Sequence, residues 1–162
     1  MNGRGGESVF YFGESMNDFS KLFLDNKDGT ITDVKGDLQW AKMDSHQELK
    51  KWLNWDESSA YLNACNEQKY LGYNDWRLPT KSELRGLLKY KEAFQKVFMV
   101  LEGPELDRRV SNYKAGGERS FWSSETRFGG YAWKSYYPTG KEVCVDQTVS
   151  TTGTVVRLVR DL

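Results

Sequence analysis

The segment Gly72-Tyr73-Asn74-Asp75-Trp76-Arg77-Leu78-Pro79-Thr80-Lys81-Ser82-Glu83-Leu84 restricts the fold more than any other part of the chain. Pro79 disfavours helical backbone at the residue before it, so the approach through Leu78 runs extended. Thr80 followed by Glu83 has the spacing of a capping box, in which the hydroxyl takes an amide of the new helix and the carboxylate reaches back to the cap. An extended segment must therefore hand over to a helix at Thr80. In such a segment Trp76 and Leu78 share one face and Arg77 points to the other. The stretch reads as a structural hinge rather than a set of catalytic groups.

A chain of 162 residues fits a single domain with one core. Lysine plus arginine and aspartate plus glutamate both number 23, so no general field is available to hold a polyanion. Duplex nucleic acid is excluded as a partner on that ground, because its affinity rests on many clustered basic side chains. Aromatic residues make up 14% of the chain and six are tryptophan, so the core is expected to be built from large rings, Trp40, Trp76, Trp122 and Trp133 among them. No run of about 18 apolar residues occurs, so no membrane-spanning segment is expected. The first 20 residues lack the apolar centre of a secretory signal.

Residues 1–20 carry aromatic residues among glycine and polar residues without periodicity and read as an irregular arm preceding one domain over 21–162. Two extended segments flank Asn26-Lys27-Asp28-Gly29, a hairpin turn signal, and a third spans Asp37 to Lys42. Met43 to Leu53 reads as a polar insertion. Asn54 with Glu57 is a second capping box, and Trp55, Ser58, Leu62 and Cys65 recur at helical spacing. A second helix starts at Lys81 with Leu84, Leu87 and Leu88 inward and resumes after a break with Phe94, Val97 and Phe98. A polar loop runs to Arg119, and strands follow at 121–124, 131–137, 142–146 and 154–160. Strands, then helices, then a meander define an α+β protein with an antiparallel sheet.

Candidate chemistry is sparse. Placing Gly29 at the sixth position of a calcium loop puts Leu24 first and Lys35 twelfth, where charged oxygen ligands are required, so no metal is assigned to Asp25–Asp33. His46 is the sole histidine, which leaves little for a catalytic triad or a multi-histidine metal site. Cys65 lies in a helix stripe and Cys144 in an apolar Val-Cys-Val strand, and neither setting favours a thiolate. Two cysteines allow one disulfide or two buried thiols. No catalytic residue and no cofactor are assigned. What remains is a surface: Arg108, Arg109, Tyr113, Arg119, Arg127, Tyr131, Tyr136, Tyr137 and Lys141 combine rigid aromatic area with charged donors, a composition enriched where proteins bind.

The blocks Asp75-Trp76-Arg77-Leu78-Pro79-Thr80 with Glu83-Leu84, Phe23 to Asp33, Leu38-Gln39-Trp40, Phe121-Trp122-Ser123-Ser124 with Ala132-Trp133, Gly140, and Val155 to Arg160 stand in one order that resembles the family named for the C-terminal domain of the Legionella collagen-like adhesin. That resemblance implies a C-type-lectin-like fold, two helices packed on a mainly antiparallel twisted sheet with a long loop region, whose termini meet as adjacent strands. It implies a binding module for a glycan or protein at the bacterial cell surface, since the namesake binds sulfated polysaccharides, with Arg108, Arg109, Arg119 and Lys141 as the anion contacts by location. It also implies a disulfide between a helix cysteine and the last strand, where this chain carries Leu158. Asn74-Asp75 is similar to the pair that ligates calcium in sugar-binding C-type lectins, but it lies before the second helix and its partner motif is missing. The Arg-Leu-Pro-Thr-x-x-Glu pattern is similar to one in sulfatase-modifying enzymes, an alternative that requires a close, accessible Cys65–Cys144 pair. A third reading is a phage or surface-appendage assembly domain, which expects an oligomer.

Overall fold

The structure is a computed structural model that describes residues 19–98 and 119–162. After a 3-10 turn at Phe19–Lys21, strands β1 (Phe23–Asp25) and β2 (Thr30–Asp33) form the expected hairpin. Its turn is held locally: Asp25 Oδ1 accepts from the Lys27 amide and Asp28 Oδ1 from the Thr30 amide, both at 2.9 Å. Gly29 has φ +90°, a conformation that favours glycine, and a Cβ there would also have to push aside the end of the Leu71 side chain, whose Cδ2 would stand 2.7 Å away. The acidic residues that suggest a calcium loop thus build the turn. The rest of the proposed arm, residues 1–18, lies outside the described residues.

The sheet continues with β3 (Leu38–Ala41) and ends on β8 (Val159–Asp161), in the order β1-β2-β3-β8. Among the described residues the C-terminal strand pairs with β3, Trp40 opposite Val159, and not with β1, whereas the resemblance implied that the termini meet as adjacent strands. Strand β1 has its neighbour in β2, and the free edge of β3 takes the C-terminus. Beyond β8 the hinge adds one more rung, because Arg77 and Val159 exchange both backbone hydrogen bonds at 2.8 and 3.0 Å.

A second sheet runs β6-β5-β4-β7, with β4 (Arg119–Arg127), β5 (Tyr131–Tyr137), β6 (Glu142–Asp146) and β7 (Thr154–Val155). The protein is thus α+β, with two four-stranded sheets among the described residues where one was expected, and β7 runs parallel to β4. The expected single strand over 154–160 is split, because Val156, Arg157 and Leu158 cross between the sheets and are almost wholly buried. That crossing divides the core. Val155 and Val159 pack with Ile31, Trp40, Leu84, Phe94 and Phe121, whereas Val156 and Leu158 pack with Leu53, Cys65, Trp76, Leu78 and Trp122.

Among the described residues four α-helices fill the remaining faces; the last three were expected, and the first was not. Helix α1 (Ser45–Leu49) lies inside the presumed polar insertion; Asp44 and Gln47 form a full capping box there. Five residues are too few for periodicity to reveal, although the cap spacing was present. Helix α2 (Trp55–Glu67) begins at the expected Asn54–Glu57 box, with Ser58 and Cys65 buried and Trp55 and Leu62 half-buried. Helix α3 (Lys81–Lys89) begins at the Thr80–Glu83 box and buries Leu84, Leu87 and Leu88. The expected break falls at Tyr90, and α4 (Lys91–Phe98) buries Ala93, Phe94 and Phe98.

Candidate functional site

The hinge is a junction between three elements. Trp76 and Leu78 are buried and Arg77 turns to the other face, as an extended backbone dictates. The Arg77 guanidinium grips Glu83 with two bonds of 2.8 and 2.7 Å and reaches Asp161 on β8 at 2.7 Å. Glu83 also accepts from the Thr80 amide at 2.8 Å, so one carboxylate closes the cap and the ion pair. Burial pushes the Glu83 carboxyl up, but Arg77 and the Thr80 amide outweigh it and hold it below the usual carboxylate range. Next to this pair, Asp75 is engaged by Arg160 at 2.8 and 3.1 Å, which occupies the carboxylate of the Asn74–Asp75 pair. The signature residues Trp76, Arg77, Leu78, Pro79, Thr80 and Glu83 are all framework.

Three tryptophans act likewise, as rings that carry a directed N–H. Trp122 donates to the Leu53 carbonyl at 2.8 Å, Trp76 to that of Tyr70 at 2.8 Å, and Trp55 to that of Ser123 at 2.9 Å. Trp40 and Trp122 are fully buried; Trp133 is half-buried, with the Lys81 ammonium 3.9 Å from its ring centre. His46 stacks flat on Trp52 at 3.7 Å.

Between the two core clusters lies a charged centre the sequence reading missed. Asp44 is wholly buried: one carboxylate oxygen caps α1, and the other lies 3.2 Å from the Arg119 guanidinium and 3.5 Å from that of Arg157. Arg157 also donates to the carbonyls of Ala41 and Lys42, and its guanidinium lies over the rings of Phe94, Phe98 and Phe121 at 5.6, 5.0 and 5.7 Å. Burial lowers Arg157 to about 10, with Asp44 opposing the shift, so it is charged at neutral pH. An arginine inside Val-Val-Arg-Leu-Val was the available signal.

Arg119 is accordingly not an anion contact at the surface: it is 8% exposed and committed to Asp44. Arg108, Arg109 and Tyr113 lie outside the described residues. The remaining candidates fall into two groups, because the pairing of β4 with β5 sets Arg127 opposite Tyr131 at one end and Arg119 opposite Tyr137 at the other. Six residue steps along β5 separate these ends by about 20 Å. At the hairpin tip Arg127 and Tyr131 are exposed, and Phe128 between them and the Gly129–Gly130 turn is fully in solvent. At the far end Tyr137 packs on Phe94 with ring centres 5.0 Å apart, Tyr136 is half-buried under the Lys134 ammonium at 5.1 Å, and Lys141 is exposed.

The thiols are not a redox couple. Cys65 and Cys144 are both free; Cys65 is buried with its partners in the second core cluster, and burial pushes its thiol up. Ala132 and Val145 face that same cluster, so Cys144, one residue along β6 and paired with Trp133, faces the opposite side of the sheet. Leu158, at the final-strand position of the implied disulfide, belongs to the same apolar cluster as Cys65. Among the described residues no group of three or more metal-ligating side chains occurs, and no helix is long and apolar enough to cross a membrane.

These features define an α+β domain whose aromatic framework and hinge ion pairs are internal and whose polar variety sits at the ends of the second sheet. The chain matches the Lcl C-terminal domain over residues 29–160 and belongs to that family. No curated protein matches the chain.

Proposed function

We propose that the chain is a non-catalytic recognition module on a C-type-lectin-like scaffold, taking a glycan or protein ligand on the tip of the β4–β5 hairpin. The observation that carries this reading is Phe128, a whole aromatic ring in water at a turn flanked by exposed Arg127 and Tyr131. An aromatic ring beside a guanidinium offers contact area and directional donors at little entropic cost. The tip is presented rigidly, because β5 is paired on both sides and the framework below it is packed. The scaffold assignment is supported by the C-terminal strand returning to the N-terminal sheet. A glycan array and a pull-down with the full chain test the reading, compared with the variant F128S/R127A. Loss of the captured ligand with an unchanged thermal transition is expected; retention of full binding by the variant would refute it.

A further inference from the structure

We propose that the outer edge of strand β6 docks an extended segment of another protein, one that sets a basic residue opposite Asp146 and β-branched residues opposite Val143 and Val145. The four sheet edges among the described residues are unequal. Strand β1 has three residues and β7 two, and the far side of β8 is taken by the Arg77 rung. Strand β6 offers five residues in unbroken register with β5, with neither a proline nor a bulge to blunt it. An edge of that kind can take a further strand through its backbone.

The phase of the hydrogen bonds fixes what this edge presents. The Tyr136 amide donates to the Lys141 carbonyl and the Gln147 amide to that of Gly130, so Val143 and Val145 carry the ladder to β5 between them. Glu142 and Cys144 therefore aim their N–H and C=O groups outward, where they meet no hydrogen-bond partner among the described residues. Side chains along the edge divide by face. Val143 and Val145 are half-exposed on the side of the second core cluster and suit β-branched partners. On the other face Glu142 is held by Arg85, whereas exposed Asp146 accepts from the Thr148 amide and hydroxyl and has no cation paired with it among the described residues. That carboxylate selects a lysine or arginine across the strand. The same charges oppose a second copy as occupant, because antiparallel pairing about Cys144 would set Glu142 of one copy opposite Asp146 of the other.

The test uses the full chain and an end-blocked peptide, Thr-Arg-Val-Thr-Val-Thr, which in antiparallel register places its arginine opposite Asp146 and its valines opposite Val145 and Val143. In NMR titrations the peptide is expected to shift Glu142 to Asp146 and to slow amide exchange at Glu142 and Cys144, which exchange fast in the free chain. N-methylating the two threonines that face Cys144 and Glu142 should weaken binding about tenfold, through lost backbone hydrogen bonds. Aspartate in place of the peptide's arginine should weaken it several-fold at low salt and less at high salt. Asp146→Asn keeps an acceptor for Thr148 and should abolish that preference. Cys144→Pro removes an outward N–H but no bond to β5, so it should lose the peptide while the amide shifts of the first sheet persist. Equal affinity of the methylated peptide, no protection at Glu142 and Cys144, no binding at millimolar peptide, or a dimer that Cys144→Pro dissolves would overturn the proposal. The tip variant F128S/R127A should bind the peptide like the parent chain, so failure here and failure of the tip reading are separable.

Discussion

Replacing Asp44 by asparagine isolates the electrostatic cost of the buried centre. Asparagine is as good an N-cap as aspartate, so helix α1 keeps its cap oxygen while the negative charge disappears. Arg119 and Arg157 then face each other across a neutral amide, 8% and 0% exposed, with no other carboxylate paired to them among the described residues. Breaking a buried pair by removing one partner costs about 3–5 kcal/mol. Asp44→Ala loses the cap as well, which adds about 1 kcal/mol. Against a total stability of about 5–15 kcal/mol, either change is severe. In urea, with a slope of about 1–3 kcal/mol per molar, the Asp44→Asn midpoint should fall by about 2 M. Removing Arg157 together with the charge, as Asp44→Asn with Arg157→Met, should recover part of the loss because one cation no longer needs a partner. An Asp44→Asn variant within about 1 kcal/mol of the parent, below the range for breaking a buried pair, would refute the claim that this carboxylate neutralises the centre.

Lys134 is 2% exposed and its ammonium has the Thr151 and Thr154 hydroxyls at 2.9 and 3.0 Å and the Trp122 and Tyr136 rings beside it but no carboxylate paired with it among the described residues, so burial lowers its pKa below the ordinary 10.5. The unfolded chain therefore binds the extra proton more readily, and stability from this group rises with pH between the folded value and 10.5. The parent's stability profile minus that of Lys134→Met, measured by urea titration across alkaline pH, should show that rise; a flat difference would count against it. Glu83 titrates the other way: its lowered pKa contributes stability that is present above 4.5 and lost as pH falls through the folded value. Glu83→Gln should cost about 1.5–3 kcal/mol at neutral pH, the range for hydrogen bonds to charged groups, and blunt acid unfolding in the same assay. For the thiols, a disulfide reagent should label half-exposed Cys144 well before buried Cys65, whose reaction should wait on opening of the core; equal rates would contradict the packing.

Local punctuation was legible because each signal involves groups a few residues apart. The Asn54–Glu57 and Thr80–Glu83 boxes, the Asp28–Gly29 turn and the alternation of Trp76, Arg77 and Leu78 each rest on such short spacing. Helix α1 escaped for the opposite reason: its cap was written in Asp44 and Gln47, but a five-residue helix shows no repeating apolar face. Of the candidate surface residues that are described, the structure buries Arg119 and leaves Arg127, Tyr131 and Lys141 exposed. Residue type selected Arg119 along with Arg127, yet strand pairing sends them to opposite ends of β4, and one of them inward.

By itself the sequence determined where helices begin, where the chain turns, and that large rings would have to form the interior, since backbone preferences and capping act within one turn or one strand. Only the tertiary structure decided that the last apolar run crosses between two sheets, that Arg157 and Arg119 share one buried carboxylate, and that a buried serine without a hydroxyl partner lines one cleft with two lysines. Those arrangements join residues more than 40 positions apart. Their energies depend on burial and on what else fills the same space, and neither quantity exists until the chain has closed on itself.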